Sequence, residues 1–574
     1  MKEQWIEAPR IEGNQELAAQ FHMSPMAMRL IRSRAGESEA EVRAYLYGTL
    51  DDLADARLMK GMTEAVALLL EKIRAGASIR IIGDYDIDGV NATHILVTGL
   101  RRVGAQVDTV IPDRLKDGYG INEHLIEQAK EAGIDTIVTC DNGIAAAKEI
   151  AYAKELGMTV IVTDHHEIPY REAEDSTRTT ILPPADVIVN PKQADCPYPY
   201  KKLCGAAVAW RLVEVLYQEA GVPREEFLDL AQFATVATIG DIMDLTGENR
   251  ILVKYGLKKM AQTKNLGLRR LAEKNNLDLG AITAYHIGFV IGPCLNAGGR
   301  LKTAKEALAL LRAQSEEEAE RLAEELKELN DTRKDMTEQG TEAAKLQVES
   351  WYQKDKVLVV FLPECHESLA GIIAGRLREY YQKPAIVLTR GEEAVKGSGR
   401  SIDEYHMFKK LTEVSDLLLK FGGHPLAAGL SLEEKNIDEF RRRLNENAGL
   451  TEEDFKAKVW IDVPMPVGYV TERLVRELSC LEPFGQGNEK PLFAEKSLRI
   501  RASRVLGRNR NVVKMTLEET DGHAIEALYF GDGTAFEEER AGRREIDVVY
   551  YPDINEYNGR KTLQAVIRRY KFRG

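Results

Sequence analysis

Long apolar runs are missing from this chain. No stretch of eighteen or more apolar residues occurs, so no transmembrane helix and no membrane partner are expected. The opening "MKEQWIEAPRIEGNQ" carries acids early and no apolar core, so no secretory signal is expected. Cysteine is sparse: six in 574 residues, scattered at 140, 196, 204, 294, 365 and 480, with no C-x-x-C pair. That argues against a disulfide frame or a zinc knuckle and for a reduced, cytoplasmic protein. Excess positive charge is also missing. The net charge of −13 argues against a protein coated in nucleic acid, but an average of this kind leaves room for a local basic groove. What is present is a soluble globular composition, 44% hydrophobic and 29% charged. The length predicts about two to four domains.

Periodicity divides the text. From about residue 78, apolar runs ("IRIIG", "QVDTVIP", "DTIVTC", "TVIVT", "DVIVN") alternate with amphipathic stretches, the signature of an α/β unit with a mostly parallel sheet. Helical text follows from Cys204 to about Leu311. Two capping boxes are expected next, Thr303 with Glu306 and Ser315 with Glu318. The second opens a long connecting helix whose stripe is Ala319, Leu322, Leu326 and Leu329; a coiled-coil dimer is the competing reading. A second α/β lobe begins at "KVLVVFLP". From Lys458, short alternating runs ("KVWIDV", "SLRIRASRVLG", "NVVKMTLEE", "AIEALYF", "EIDVVYY", "TLQAVIRRY") predict a small OB-like β-barrel.

The chemistry collects at strand ends. "IRIIG" runs into Asp84, Asp86 and Asp88 before Gly89, which resembles the start of an EF-hand loop. The twelfth loop position is Ile95 rather than glutamate, and a strand precedes the loop instead of a helix, so that reading fails. "DTIVTC" ends in Asp141, "TVIVT" in Asp164-His165-His166, and Asp241 follows the apolar run of "VATIGD". The carboxyl ends of parallel strands face one crevice, so these acids and histidines are expected to share a metal site. Mixed Asp and His donors without thiolate suit Mn²⁺ or Mg²⁺. Two cations roughly 3.5–4 Å apart would clamp an in-line attack on phosphorus.

"DYDIDG", "CDNG", "DHH" and "GDIMD" resemble the four motifs of the DHH phosphoesterases, and "GGHPLAAG" (Gly422 to Gly429) resembles the signature of the associated DHHA1 domain. The resemblance covers about residue 60 to the end. It implies an N-terminal segment at 1–60, a DHH catalytic domain at 61–302, connecting helices at 303–350, a DHHA1 domain at 351–450 and an OB-like nucleic-acid-binding domain at 451–574. Motif order and the terminal barrel resemble the branch that degrades single-stranded DNA from the 5′ end to mononucleotides, in recombination and repair. That branch uses two divalent cations; single-strand-binding protein and a helicase are the partners it suggests. Rival readings are an oligoribonuclease or small-nucleotide phosphodiesterase, and a silent relative that scaffolds repair factors; the silent relative would have lost ligands that this chain keeps. By resemblance, Asp84, Asp86, Asp141, His165 and Asp241 are metal ligands, with Asp141 as the bridge. His166 faces the scissile phosphate, and Asp88 and Asp164 orient ligands. Some members of the branch carry a further C-terminal domain, which this sequence does not show.

End recognition needs fixed donors, and arginine's fork suits a phosphate. Arg114 in "IPDRLKDGYG", and Ser398 with Arg400 on a glycine-rich turn in "VKGSGRS", would hold the 5′-phosphate by resemblance. Arg300 in "NAGGR" would lie near the entering nucleotide, and His424 would contact substrate. The segment "RIRASRVLGRNRNVVK" contains Arg499, Arg501, Arg504, Arg508, Arg510 and Lys514 and no acid, an expected track for a phosphate backbone.

Overall fold

The computed structural model describes residues 3–114, 116–172, 178–557 and 559–573. Five parallel strands form the first sheet, in the order Gln106–Val110, Ser78–Ile82, Thr136–Cys140, Thr159–Thr163, Val187–Val189. In the three central strands the β-branched residues are almost all buried, on both faces, as an all-parallel sheet requires. One face packs on the helices Met62–Arg74, Ile87–Arg102 and Gly205–Ala220. The other packs on Glu123–Glu131 and Ala147–Glu155.

The connecting helix runs from Glu316 to Gln347. At 1.5 Å per residue its 32 residues span about 48 Å. Ser315 caps it by accepting from the Glu318 amide, while the Glu318 carboxylate accepts from Gln314 N. The box expected at Thr303 does not form, because Thr303 Oγ1 accepts from Lys305 N and Glu306 pairs with Lys302. Ala319, Leu322 and Leu326 are buried in the first lobe, and Ala344 is buried in the second. The apolar stripe is thus consumed within the chain rather than in a dimer seam.

A five-stranded mixed sheet makes the second lobe, in the order Leu418–Gly423, Ala427–Leu432, Val395–Arg400, Ala385–Arg390, Leu358–Phe361. In the last domain, strand Phe493–Leu506 pairs with both Val512–Glu518 and Glu545–Tyr557, which closes the six-stranded sheet into an OB-like barrel.

Two expectations change here. "KVWIDV" is not a barrel strand: Ala457–Ile461 pairs in parallel with Glu3–Glu7 at the other end of the chain. The N-terminal segment is not a separate unit either. Its helices Pro25–Ala35 and Glu39–Tyr47 bury Met28, Leu30, Ile31, Val42 and Tyr45 in the same core as Val467, Leu478 and Phe493. Arg250, fully buried, clamps this assembly to the first lobe by donating to the carbonyls of Tyr45, Cys480 and Leu481.

Candidate metal centre and phosphate cleft

Three strand ends deliver the acids. Asp86 caps the helix Ile87–Arg102, its Oδ1 accepting from the amides of Asp88 (2.9 Å) and Gly89 (3.1 Å). Asp141 holds a left-handed φ of 61°, which turns the chain sharply out of its strand. Asp241 departs from the strand-end pattern: it is the C-cap of the helix Arg224–Gly240 and enters from the helical side. His165 Nε2 lies 3.1 Å from Asp141, 3.5 Å from Asp88 and 3.7 Å from Asp241. Three sets can hold a cation: Asp84, Asp86 and Asp141; Asp141, His165 and His166; Asp88, His165 and Asp241.

Backbone amides fix Asp88 and Asp164 as well. Both Asp88 oxygens accept from the first amides of the helix Gly205–Ala220, Gly205 N at 2.6 Å and Ala206 N at 2.7 Å. That helix presses on Asp141 so closely that a Cβ on Gly205 would stand 2.7 Å from the Asp141 Cβ. Asp164 receives the His166 Nδ1 at 2.8 Å and the amides of Ile144, His165 and His166. Tyr119, which the sequence reading did not single out, donates its hydroxyl to the Asp141 carbonyl at 2.8 Å. The same hydroxyl lies 3.2 Å from His166 Nδ1.

A cation fits this donor set. Asp84 Oδ1, Asp141 Oδ1 and both ring nitrogens of His165 are buried without a hydrogen-bond partner, a cost of about 1–3 kcal/mol for each neutral group and more for charge. Burial, then Asp86, pushes Asp84 up to about 8. Burial, then Asp88 and Asp86, does the same to Asp241. Asp141 is raised well above the carboxylate range by burial and four neighbouring carboxylates. Burial holds His165 below its usual value, which keeps the imidazole neutral and able to ligate.

These shifts fix a pH dependence. A carboxyl raised to about 8 binds more protons folded than unfolded, so its stabilisation is complete below about pH 4 and is lost as pH rises through about 8. Metal-free protein should therefore lose melting temperature between pH 5.5 and 8.5 more steeply than protein in Mn²⁺. Equal slopes from thermal melts in chelator and in Mn²⁺ would refute this assignment.

Across from the acids stand arginines. Arg114 lies over the Tyr85 ring, 5.1 Å from its centroid. Arg300 donates to the Ser368 carbonyl of the second lobe at 3.1 Å. Arg400 donates to Ser398 Oγ at 3.2 Å and to the Gly399 carbonyl at 2.8 Å. Ser398 and Arg400 sit on a central strand and not on the turn expected. Burial, then Arg114 and Arg333, lowers Arg300 to about 10. Burial, then Arg378 and Arg114, also lowers Arg400. Among the described residues Arg114, Arg300, Arg333 and Arg400 form no ion pair with a carboxylate. Arg333 and Arg378 are additions to the sequence reading; "NDTRKD" on a long polar helix gave no signal for Arg333. His424 occupies a hairpin turn between Leu418–Gly423 and Ala427–Leu432. With Tyr119, His165, His166 and Lys192 it lines a cavity of about 450 Å³.

The barrel's basic segment is less uniform than expected. Arg501 pairs with Glu518, and Lys514 with Glu526 at 2.8 Å. Both acids come from neighbouring strands, where a scan along one segment cannot see them. Arg499, Arg504, Arg508 and Arg510 are exposed, and none of the four forms an ion pair among the described residues.

A strand-end cluster of carboxylates and imidazoles, beside unpaired arginines from both lobes and the connecting helix, defines a metal-dependent phosphoesterase of the DHH/DHHA1 class. Residues 78–238 match the N-terminal domain of the DHH family, 354–449 the DHHA1 domain and 461–569 the RecJ OB domain. The single-stranded-DNA-specific exonuclease RecJ of Bacillus subtilis is 38% identical over 99% of this chain and 70% of its own length. That of Escherichia coli is 33% identical over 99% of both. The structure of Thermus thermophilus RecJ in complex with Mn²⁺ matches with a TM-score of 0.83 and 30% identity, over 100% of this chain and 80% of the other. The chain belongs to the RecJ family.

Proposed function

We propose that this metal-dependent exonuclease of single-stranded DNA works from the 5′ end and releases mononucleotides, in recombination and repair. Its cofactor is a divalent cation, Mn²⁺ or Mg²⁺; two are proposed, with Asp84 and Asp86 on one, His165 and Asp241 on the other and Asp141 between them. When bound, such cations polarise the phosphate and supply a nucleophile at neutral pH. The chain's own groups place the substrate. Asp164 and Tyr119 fix the His166 ring at the edge of the cluster, where it donates to a phosphate oxygen or to the leaving group. Arg114, Ser398 and Arg400 receive the terminal phosphate, while Arg300 and His424 hold the next positions of the backbone. The observation that carries this reading is the pairing of a buried carboxylate cluster with unpaired arginines across one cleft.

The direct test supplies Mn²⁺ with 5′- and 3′-labelled single strands, duplexes and short RNA. Release of mononucleotides from the 5′ label of single strands is expected; release from the 3′ end, or equal cutting of short RNA, would favour an oligoribonuclease. Single-strand-binding protein and a helicase belong to the same reading as partners. A cytoplasmic location is supported by six free cysteines.

The barrel's four unpaired arginines are proposed to hold the emerging strand. Replacing Arg499, Arg504, Arg508 and Arg510 by Ala should reduce the logarithmic salt slope of binding by up to roughly 3, at about 0.7 per phosphate. Long strands should be degraded in shorter runs, with cleavage of very short oligonucleotides kept. An unchanged slope would remove the barrel from the DNA path. Truncation before the barrel is a poor substitute, because it would strip the partner surface of residues 3–47.

A further inference from the structure

A cavity of about 1290 Å³ in the first lobe shares no lining residue with the cleft at the acids. Helices of the first lobe build its walls, among them the C-terminal half of Ile87–Arg102 and the middle of Arg224–Gly240. Its charge runs against that of the chain. Five cationic side chains line it (Arg101, Arg102, Lys259, Lys264 and Arg312) against two carboxylates, in a protein of net charge −13. Asp229 is taken up by Lys259 at 2.7 Å, and Glu318 accepts from Gln314 N at 3.1 Å. Arg102 is held by Glu226. Among the described residues, Arg101, Lys264 and Arg312 form no ion pair. Arg312 is lowered by burial and then by Arg101, so two unneutralised guanidinium groups share one site.

Two largely buried polar side chains line the same space, each with an unpartnered atom. His94, 6% exposed, makes no hydrogen bond among the described residues, and its Nδ1 is fully enclosed. Gln232, also 6% exposed, donates to the Asp229 carbonyl but leaves Oε1 without a partner. Burial, then Arg312, pushes His94 down to about 3, so its ring stays neutral and offers one donor and one acceptor. The ring packs on Phe233 at 4.2 Å between centroids. The enclosed Nδ1 and Oε1 lie out of a ligand's reach, whereas His94 Nε2 has no partner among the described residues and is not enclosed, so it can meet one.

We infer that this cavity is a second binding site, for a small phosphorylated molecule whose phosphate lies among Arg101, Lys264 and Arg312 and whose polar body reaches His94. Arginine forks suit a phosphate monoester, and the volume accommodates a body the size of a nucleoside. A nucleoside monophosphate supplies every feature; free phosphate supplies only the anion.

The test uses the full chain in chelator, with Arg114→Ala and Arg400→Ala introduced to silence the cleft. Titration calorimetry with 2′-deoxyadenosine 5′-monophosphate should show one site. Adding Arg101→Gln and Arg312→Gln should weaken binding at least tenfold, and the exposed Lys264→Gln, which leaves the fold undisturbed, at least threefold. Deoxyadenosine alone should not bind. Phosphate binding as tightly as the nucleotide would keep the site and assign it to the free anion. No binding in the cleft-silenced protein, or binding indifferent to Lys264→Gln, overturns the proposal.

Discussion

Asp141→Asn should lower hydrolysis of single strands by at least about a thousandfold while making the metal-free protein more stable. The loss follows if Asp141 links two cations, because that charge contributes several kcal/mol and each 1.36 kcal/mol is tenfold in rate. The gain follows from burial. A carboxyl surrounded by other carboxylates and raised well above its ordinary range opposes folding when no cation neutralises it. Asparagine is the informative replacement because Asp141 occupies the left-handed region at φ 61°. Asparagine tolerates that region, whereas alanine adds a backbone penalty of roughly 1–2 kcal/mol. Steady-state cleavage in Mn²⁺ and melting curves in chelator read the two effects separately. A folded Asp141→Asn enzyme with near-normal turnover would end the assignment of Asp141 as the bridge.

The second large effect concerns the end of the strand. Replacing Arg114 and Arg400 by Ala should erase the preference for 5′-phosphorylated over 5′-hydroxyl strands. Hydrogen bonds to charged groups contribute about 1.5–3 kcal/mol each, or roughly ten- to a hundredfold per arginine. KM for phosphorylated strands should rise by that factor, with less change for hydroxyl-ended strands and none in Mn²⁺-induced stabilisation. What motivates this is that Arg114 and Arg400 both lower a third arginine, Arg300, and that Arg114 also lowers the largely buried Arg400. Discrimination that survives the double replacement would give end recognition to other residues.

Much of the first lobe was legible because its strands are fully buried. Ser78–Ile82, Thr136–Cys140 and Thr159–Thr163 read as apolar runs, and the residue after each run had to leave the sheet at the same edge. That is why Asp84, Asp141 and His165 group together from the sequence alone. Asp241 was reachable only through its motif, since a helix C-cap after an apolar stretch looks like many others. Tyr119 was not legible at all: its role depends on a hydroxyl reaching a carbonyl 22 positions away. The second-lobe sheet and closed barrel agree with the fold class read from alternation, yet pairing partners were hidden. Glu518 and Glu526 neutralise Arg501 and Lys514 across strands, and a linear count of charge has no access to register.

The strand Glu3–Glu7 and the helices behind it have no finished partner until Ala457–Ile461 and the barrel exist. Some 450 residues separate the two halves of that core. At roughly 5–20 residues per second of synthesis, the first apolar helices wait about 20–90 seconds for the surface that covers them. The first α/β lobe is complete well before, and the second, whose last helix ends at Glu446, only just before. During translation the leading apolar helices stay uncovered for a time set by the length of the message between the two halves of their core.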